Sequence, residues 1–332
     1  MDARHDLHGP RLRPRAEDSP DRARHGRRYL LISPCRDEEA YMRRTLESVA
    51  RQSARPALWV VVDDGSTDAT PAILAEHERR LPWLAVVRRP DRGRRRVGPG
   101  VIEAFEEGCR AVDLSDFDFV CKLDLDLELP PRYFERLMEL MDADPRLGTV
   151  SGKSYVAVDG RAPRREPGGD EVSAGMTKFY RVECLREIGG FVREVMWDGI
   201  DCHRCRMLGW KARSLDEPAL RFLHLRPMGS SQKGLWTGRW RHGAGQWFMG
   251  TGPLYMTASA LYRCTQPPLL WGGLAMWLGY VASGLRRRPR YPDLEFRACL
   301  RRFQRDALWM GKARALARAE GRCARAPQVA LP

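Results

Sequence analysis

Four short apolar runs constrain this chain more than anything else in it. They are RYLLIS at 28–33, LWVVVD at 58–63, LAVVRR at 84–89 and the longer DFDFVCKLDLDLELPP at 116–131. Their apolar residues are consecutive rather than alternating, the pattern of strands buried on both faces. Segments of helical character follow each run. Residues 38–53 carry Tyr41, Leu46 and Val49 at roughly helical spacing. Residues 68–81 open with Asp68 as a cap and Pro71 in the first turn. A glycine turn opens 98–112, and 132–144 closes the series. Repeated strand and helix with continuous apolar strands predicts a mostly parallel sheet covered by helices. Ligands of such sheets bind at the carboxyl ends of the strands.

Three acidic groups stand where such a sheet presents its ligands. VVVDDGSTDAT ends the second strand with Asp63 and Asp64, followed by a tight turn. The plain alternative is a turn with a capping acid. In KLDLDLELP, Asp124 and Asp126 are two residues apart. In an extended segment they share a face, so both carboxylates can address one ion. Hard divalent cations take such oxygens and keep positions for phosphate. The alternative is solvated acids at a strand end, and Glu128 reads equally as a third ligand or a solvent-facing group. In VMWDGIDCHRCRMLGWK, Asp198 and Asp201 precede a short helix that ends at Gly209. An acid there is commonly only a cap. Asp198 beside the Trp197 ring is the better general-base candidate, because an apolar wall makes a carboxylate more basic.

Other chemistries find little support. Nine scattered cysteines, an odd number, do not form a secreted disulfide framework. The single C-x-x-C of Cys202 and Cys205 is a weak zinc signal against simple packing. No Ser-His-Asp or Cys-His pairing supplies a nucleophile. Neither GPG at 98–100 nor RGRRR at 92–96 fits a P-loop or a G-x-G-x-x-G turn. The basic loop reads as a phosphate contact or as a solvated segment.

The ordered set SPCRDEEAYMRRTLESVARQ, VVVDDGSTDAT, DLDLELPPRYFERL, KFYRVECLREIGGF and WDGID…RMLGW resembles a family 2 glycosyltransferase of GT-A fold. The resemblance covers about residues 29–210 and, more loosely, extends to about 310. It implies an inverting enzyme with a nucleotide-sugar donor, Mg²⁺ or Mn²⁺, and a polysaccharide or lipid-linked acceptor. It places Pro34, Arg36 and Glu38 along the nucleotide. Asp64, with Asp63 beside it, is implied to accept from the base N–H, which leans towards uridine. Asp124 faces ribose and metal, Asp126 ligates the metal directly, and Asp198 takes the acceptor proton. Trp197 departs from the family's usual Glu before that Asp, and Asp201 stays open as the alternative base. His224, in FLHLRP, resembles a histidine that some GT-A enzymes place near the metal.

The charge is distributed unevenly. From Pro218 onward there are 19 Lys and Arg against 4 Asp and Glu, whereas residues 1–217 hold 38 against 39. A basic third suits an anionic partner such as lipid headgroups, nucleic acid or phosphorylated substrate. No nucleic-acid-binding pattern accompanies it. From Gly243 to Leu285 the only charge is Arg263, and residues 286–332 then carry 13 basic against 4 acidic groups. An uncharged run followed by a basic tail predicts attachment to the cytoplasmic face of a membrane. A monotopic or re-entrant segment, broken near Pro267 and Pro268, keeps tail and catalytic domain on one side. A single span and a buried core helix are the alternatives. The expected organisation is a disordered tail at 1–28 with no signal peptide, a catalytic domain at 29–240, a membrane-associating region at 241–310 and a basic tail at 311–332. The competing function is a basic membrane- or nucleic-acid-binding protein with a non-catalytic domain of this fold.

Overall fold

The computed structural model describes residues 11–13, 26–93, 96, 98–158, 161–226, 234–266 and 269–323. Most of the tail expected at 1–28, Arg94 and Arg95 of the basic loop, the Pro267–Pro268 break and the last nine residues lie outside these. In chain order the first half holds β1 (Tyr29–Cys35), α1 (Met42–Ala50), β2 (Leu58–Asp63), α2 (Thr70–Arg80), β3 (Leu84–Arg88), α3 (Pro99–Arg110), β4 (Phe119–Leu123), β5 (Leu127–Glu128) and α4 (Tyr133–Ala143). There follow β6 (Leu147–Ser151), β7 (Lys153–Val158), β8 (Arg161–Arg165), β9 (Thr177–Arg181), α5 (Val182–Glu187), α6 (Trp197–Met207), β10 (Lys211–Ser214) and β11 (Arg221–His224).

The main sheet has the order β10-β6-β9-β4-β1-β2-β3. β4, β1, β2 and β3 are parallel neighbours, as the apolar runs predict. Both faces of these strands are covered. Leu31, Trp59 and Val61 pack towards α1, α2 and α4, while Leu30, Ile32, Val60 and Val62 pack towards α3. α3 approaches closely at Gly108, where a Cβ would lie 2.6 Å from Ile32 Cγ2.

The main sheet is mostly parallel, as expected, with β9 alone running antiparallel between β4 and β6. Two expectations need correction. The stretch 116–131 is not one strand: it leaves the main sheet after Leu123 and re-enters a second sheet, β5-β11-β7-β8, at Leu127. Asp124 and Asp126 therefore sit in a bend, so the shared-face argument for an extended strand does not apply. Backbone partners fix the bend: Asp124 N–H donates to the Met176 carbonyl at 2.8 Å, and the Asp126 carbonyl accepts from Leu225 N–H at 2.8 Å. Lastly, Asp68 stands one residue before Ala69, the N-cap of α2, and still covers the first N–H of the helix. Its Oδ1 accepts from Thr70 N–H at 2.9 Å and its Oδ2 from Glu39 N–H at 3.1 Å, tying two loops at the strand ends.

Five helices follow among the described residues: α7 (Gly234–Met249), α8 (Pro253–Cys264), α9 (Trp271–Leu285), α10 (Leu294–Met310) and α11 (Lys312–Arg322). Met249, Tyr291, Phe296 and Leu300 form a core with Ile200 of α6. Residue 240, the expected end of the catalytic domain, falls inside α7. No helix among the described residues is long and apolar enough to cross a membrane.

Candidate active site

The second strand's two acids have different neighbours. Asp63 Oδ1 accepts from Ser66 N–H at 2.9 Å and so closes the turn. Gly65 adopts φ +74°, and a Cβ there would lie 2.4 Å from Asp91 Cα, so only glycine fits. The Asp64 carboxylate accepts from Arg89 at 2.9 Å and from Arg92. Arg36 is buried and donates to the Asp64 carbonyl at 2.7 Å and to Asp91 at 2.6 Å. Pro34 lies in β1 opposite Val62. In the basic loop, Arg92 and Arg96 both bind Glu103, so neither is simply solvated.

The bend after β4 holds the next pair. Asp124 Oδ1 accepts from Lys122 Nζ at 2.5 Å, and the same ammonium donates to the Gly175 carbonyl at 2.9 Å. The Asp124 carboxyl is raised by its recessed position, against the pull of Lys122. Asp126 Oδ2 accepts from Arg226 Nε at 3.0 Å and Nη2 at 2.6 Å. Arg226 Nη2 also reaches Glu38 Oε1 at 3.2 Å, and Glu38 N–H donates to Thr70 Oγ1 at 2.8 Å. His224 lies between two acids, with Nδ1 2.8 Å from Glu166 Oε2 and Nε2 3.6 Å from Asp126 Oδ2. Burial opposes its charge, but the two carboxylates prevail and raise the imidazole to about 9. Burial likewise opposes ionisation of Asp126, yet His224 and Arg226 hold its carboxyl at about 2.

His224 Nδ1 is engaged by Glu166, while Nε2 faces Asp126, on the side where an ion held by Asp126 would lie. Glu128 instead pairs with Arg44 on the surface. Among the described residues no group of three His, Cys, Asp or Glu is placed to hold a metal. Cys202 and Cys205 are buried, and Cys205 Sγ packs 3.5 Å from Cys184 Sγ.

α6 brings up the third acid. Met196, at φ +72°, turns the chain into the helix. The Trp197 ring points into the core, 4.8 Å from Phe191, with Lys122 and Lys178 over it at 5.4 and 5.6 Å. It is therefore a floor under the lysines rather than a wall of the site. Asp198 is partly exposed, and its Oδ2 would lie 2.9 Å from a Cβ on Gly175. Gly175 thus links the two acidic groups, with its carbonyl on Lys122 and its α-carbon against Asp198. Asp201 is 1% exposed and fully committed. Its Oδ2 accepts from Lys178 Nζ and Tyr180 Oη, both at 2.5 Å, and its Oδ1 from Cys202 N–H at 2.6 Å. Lys178 also donates to the Asp198 carbonyl at 2.9 Å, which pins the first turn of α6.

The motif reading missed the cations Lys122, Lys178, Arg226 and Arg89, while Arg92 lies in the basic loop it singled out. Two were within reach of sequence reasoning, because Lys122 stands two residues before Asp124 and Arg226 two after His224. Lys178 and Arg89 carried no local signal.

Residues 31–192 match the family model for glycosyl transferase family 2. This segment is a family 2 glycosyltransferase domain of GT-A fold. Similar solved structures include Staphylococcus aureus TarS 1–349 in complex with UDP, at 16% identity and TM-score 0.50, covering 89% of this chain and 88% of that one. The same protein with UDP-GlcNAc aligns at 15% identity and TM-score 0.49, covering 89% and 90%. The mannosyltransferase PcManGT of Pyrobaculum calidifontis, in complex with GDP-Man and Mn²⁺, aligns at 20% and TM-score 0.48, covering 90% and 87%. No curated protein gives a significant match.

Proposed function

We propose that this glycosyltransferase moves a sugar, with inversion, from a nucleoside diphosphate donor to a hydroxyl of a glycan or lipid-linked acceptor, assisted by Mg²⁺ or Mn²⁺. One observation carries the reading. The partly exposed carboxylate of Asp198 stands beside Gly175, whose carbonyl accepts from the same Lys122 ammonium that holds Asp124. This proximity supports Asp198 as a base beside the donor, open to an incoming hydroxyl.

The residues fit a divalent cation at one point. Asp126 Oδ1 is buried and has no hydrogen-bond partner, the condition of an acceptor kept for an ion. Asp126, with Asp124 nearby, would hold it, the remaining positions going to phosphate oxygens and water. When bound, the cation offsets charge on the departing diphosphate. His224 and Arg226 keep Asp126 ionised. Asp64 and Arg36 line the end of β2 where the nucleoside would lie. Asp198 removes the acceptor proton.

The competing reading, a binding module without turnover, is favoured by one observation: Asp64, Asp124 and Asp126 each already meet a protein cation. A panel of nucleotide sugars with Mg²⁺ or Mn²⁺, scored for nucleoside diphosphate release, separates them. Metal-dependent release with one donor supports the enzyme reading. Donor binding without release from any donor in the presence of acceptor-bearing membranes overturns it.

A further inference from the structure

α8 and α9 form an antiparallel pair, with Trp277 Nε1 3.4 Å from Thr257 Oγ1 and Gly273 against Ala260 and Cys264. Their amphipathy is inverted. The inward face of α9 is Gly272, Gly273, Ala275, Gly279 and Ser283 with Met276 and Tyr280. At Gly243, Gly273 and Gly279 a Cβ would lie 1.8, 2.2 and 2.2 Å from a carbonyl oxygen of the neighbouring helix. Small residues thus set the helix crossings, and large apolar side chains are turned outward. Leu254, Leu261, Leu270 and Leu285 are 74, 66, 68 and 81% exposed, and Tyr262, Leu269, Trp271 and Leu274 extend the surface. Water disfavours this arrangement, whereas hydrocarbon removes the penalty on the outer face.

Charge identifies what covers the face. No acidic residue occurs between Gly243 and Leu285, and exposed Arg286, Arg287 and Arg288 follow α9 directly. α8 has 12 residues and α9 has 15, about 18 and 22 Å of helix, short of the ~30 Å hydrocarbon core. We propose that the outward apolar face of the α8–α9 pair beds into the interface of an anionic lipid bilayer, with Arg286–Arg288 against the headgroups. The attachment is monotopic. It also sets where the catalytic residues stand, because α9 packs on α7 and α7 packs on the turn before Asp198, with Gly245 against Val195 and Met196. This inference does not rest on the catalytic reading.

Vesicle flotation of the full chain tests it, using phosphatidylcholine alone and phosphatidylcholine with about a third phosphatidylglycerol. The wild type is expected to float with the anionic vesicles, to stay in part at about 1 M salt, where charges are screened, and to be released by detergent. The combined variant Leu254→Gln, Leu261→Gln, Leu274→Gln and Leu285→Gln should lose binding about tenfold or more. Arg286→Gln, Arg287→Gln and Arg288→Gln together should lower the preference for anionic vesicles about tenfold while leaving the salt-resistant fraction. Melting curves confirm folding. If the combined variant does not fold, the single variants Leu261→Gln and Leu285→Gln should each give a graded loss. Wild type that stays unbound, or leucine variants that float like wild type, would overturn the proposal. So would wild-type dimers that the leucine variants convert to monomers without any vesicle binding, since a second copy would then cover the face.

Discussion

Asp198→Asn keeps the shape of the first turn of α6 and removes its basicity. The expected result is a kcat lower by roughly 10²–10⁴ with donor affinity near normal, measured by steady-state kinetics beside donor titration. Asp201→Asn should behave differently. It leaves the buried Lys178 ammonium without its ion-pair partner, and breaking such a pair costs about 3–5 kcal/mol. Urea denaturation should register that loss. A normal melt with the kcat defect of the Asp198 variant would reverse the assignment of the base. For Asp126→Ala, calorimetry should lose the metal-dependent part of donor binding while the fold survives. Unchanged metal-dependent binding would remove Asp126 from the cation site.

At the scale of elements, the crossing of α7 and α9 depends on having no side chain at Gly279. A Cβ there meets the Trp240 carbonyl at 2.2 Å, so Gly279→Ala must push the helices apart. Overpacking of this kind costs about 1–3 kcal/mol, and faster proteolysis within α7–α9 should accompany it. Equal proteolysis of variant and wild type would mean that the crossing is loose. Gly284, in the last turn of α9, makes the comparison useful. Its Cβ would meet the flexible Trp247 ring at 2.8 Å rather than backbone, so Gly284→Ala should cost less.

Across the whole molecule, the C-terminal helices are part of the catalytic body. A chain ending at residue 226 would expose Ile200 and lose its partners Met249, Tyr291, Phe296 and Leu300. Burial of each such side chain is worth roughly 1.5–3 kcal/mol, so the truncated chain should unfold at a clearly lower urea concentration. A midpoint equal to that of the full chain would show two independent units. α11 adds an acid-sensitive link, since Lys312 donates to Glu171 at 2.8 Å. Burial alone would raise the Glu171 carboxyl, but Lys312 and Arg206 bring it below its ordinary 4.5. A depressed carboxylate contributes stability above its unfolded value and loses it as pH falls below about 4.5. Glu171→Gln should therefore flatten the acid limb of the melting temperature against pH, and an unchanged limb would refute the linkage.

The parallel strands β1 to β4, the helices between them, the Asp63–Asp64 turn and the family were all legible in the sequence. Each depends on local pattern: consecutive apolar residues for a strand buried on both faces, glycine for a turn, acids at a strand's end. Tertiary structure alone decided the antiparallel β9, whose neighbours β4 and β6 lie on its N-terminal side in the chain, and the bend that takes Asp124 and Asp126 off the strand. It alone gave Asp198 and Asp201 different surroundings. Both acids sit at the start of one helix, but only the Asp201 carboxylate meets Lys178 and Tyr180, which arrive on β9. It also supplied Arg226 to Asp126 from 100 residues away, and turned the leucines of α8 and α9 outward. Composition showed an uncharged run with a basic tail. The direction its side chains face follows from how closely glycines let the helices approach, a property of paired surfaces that no single segment contains.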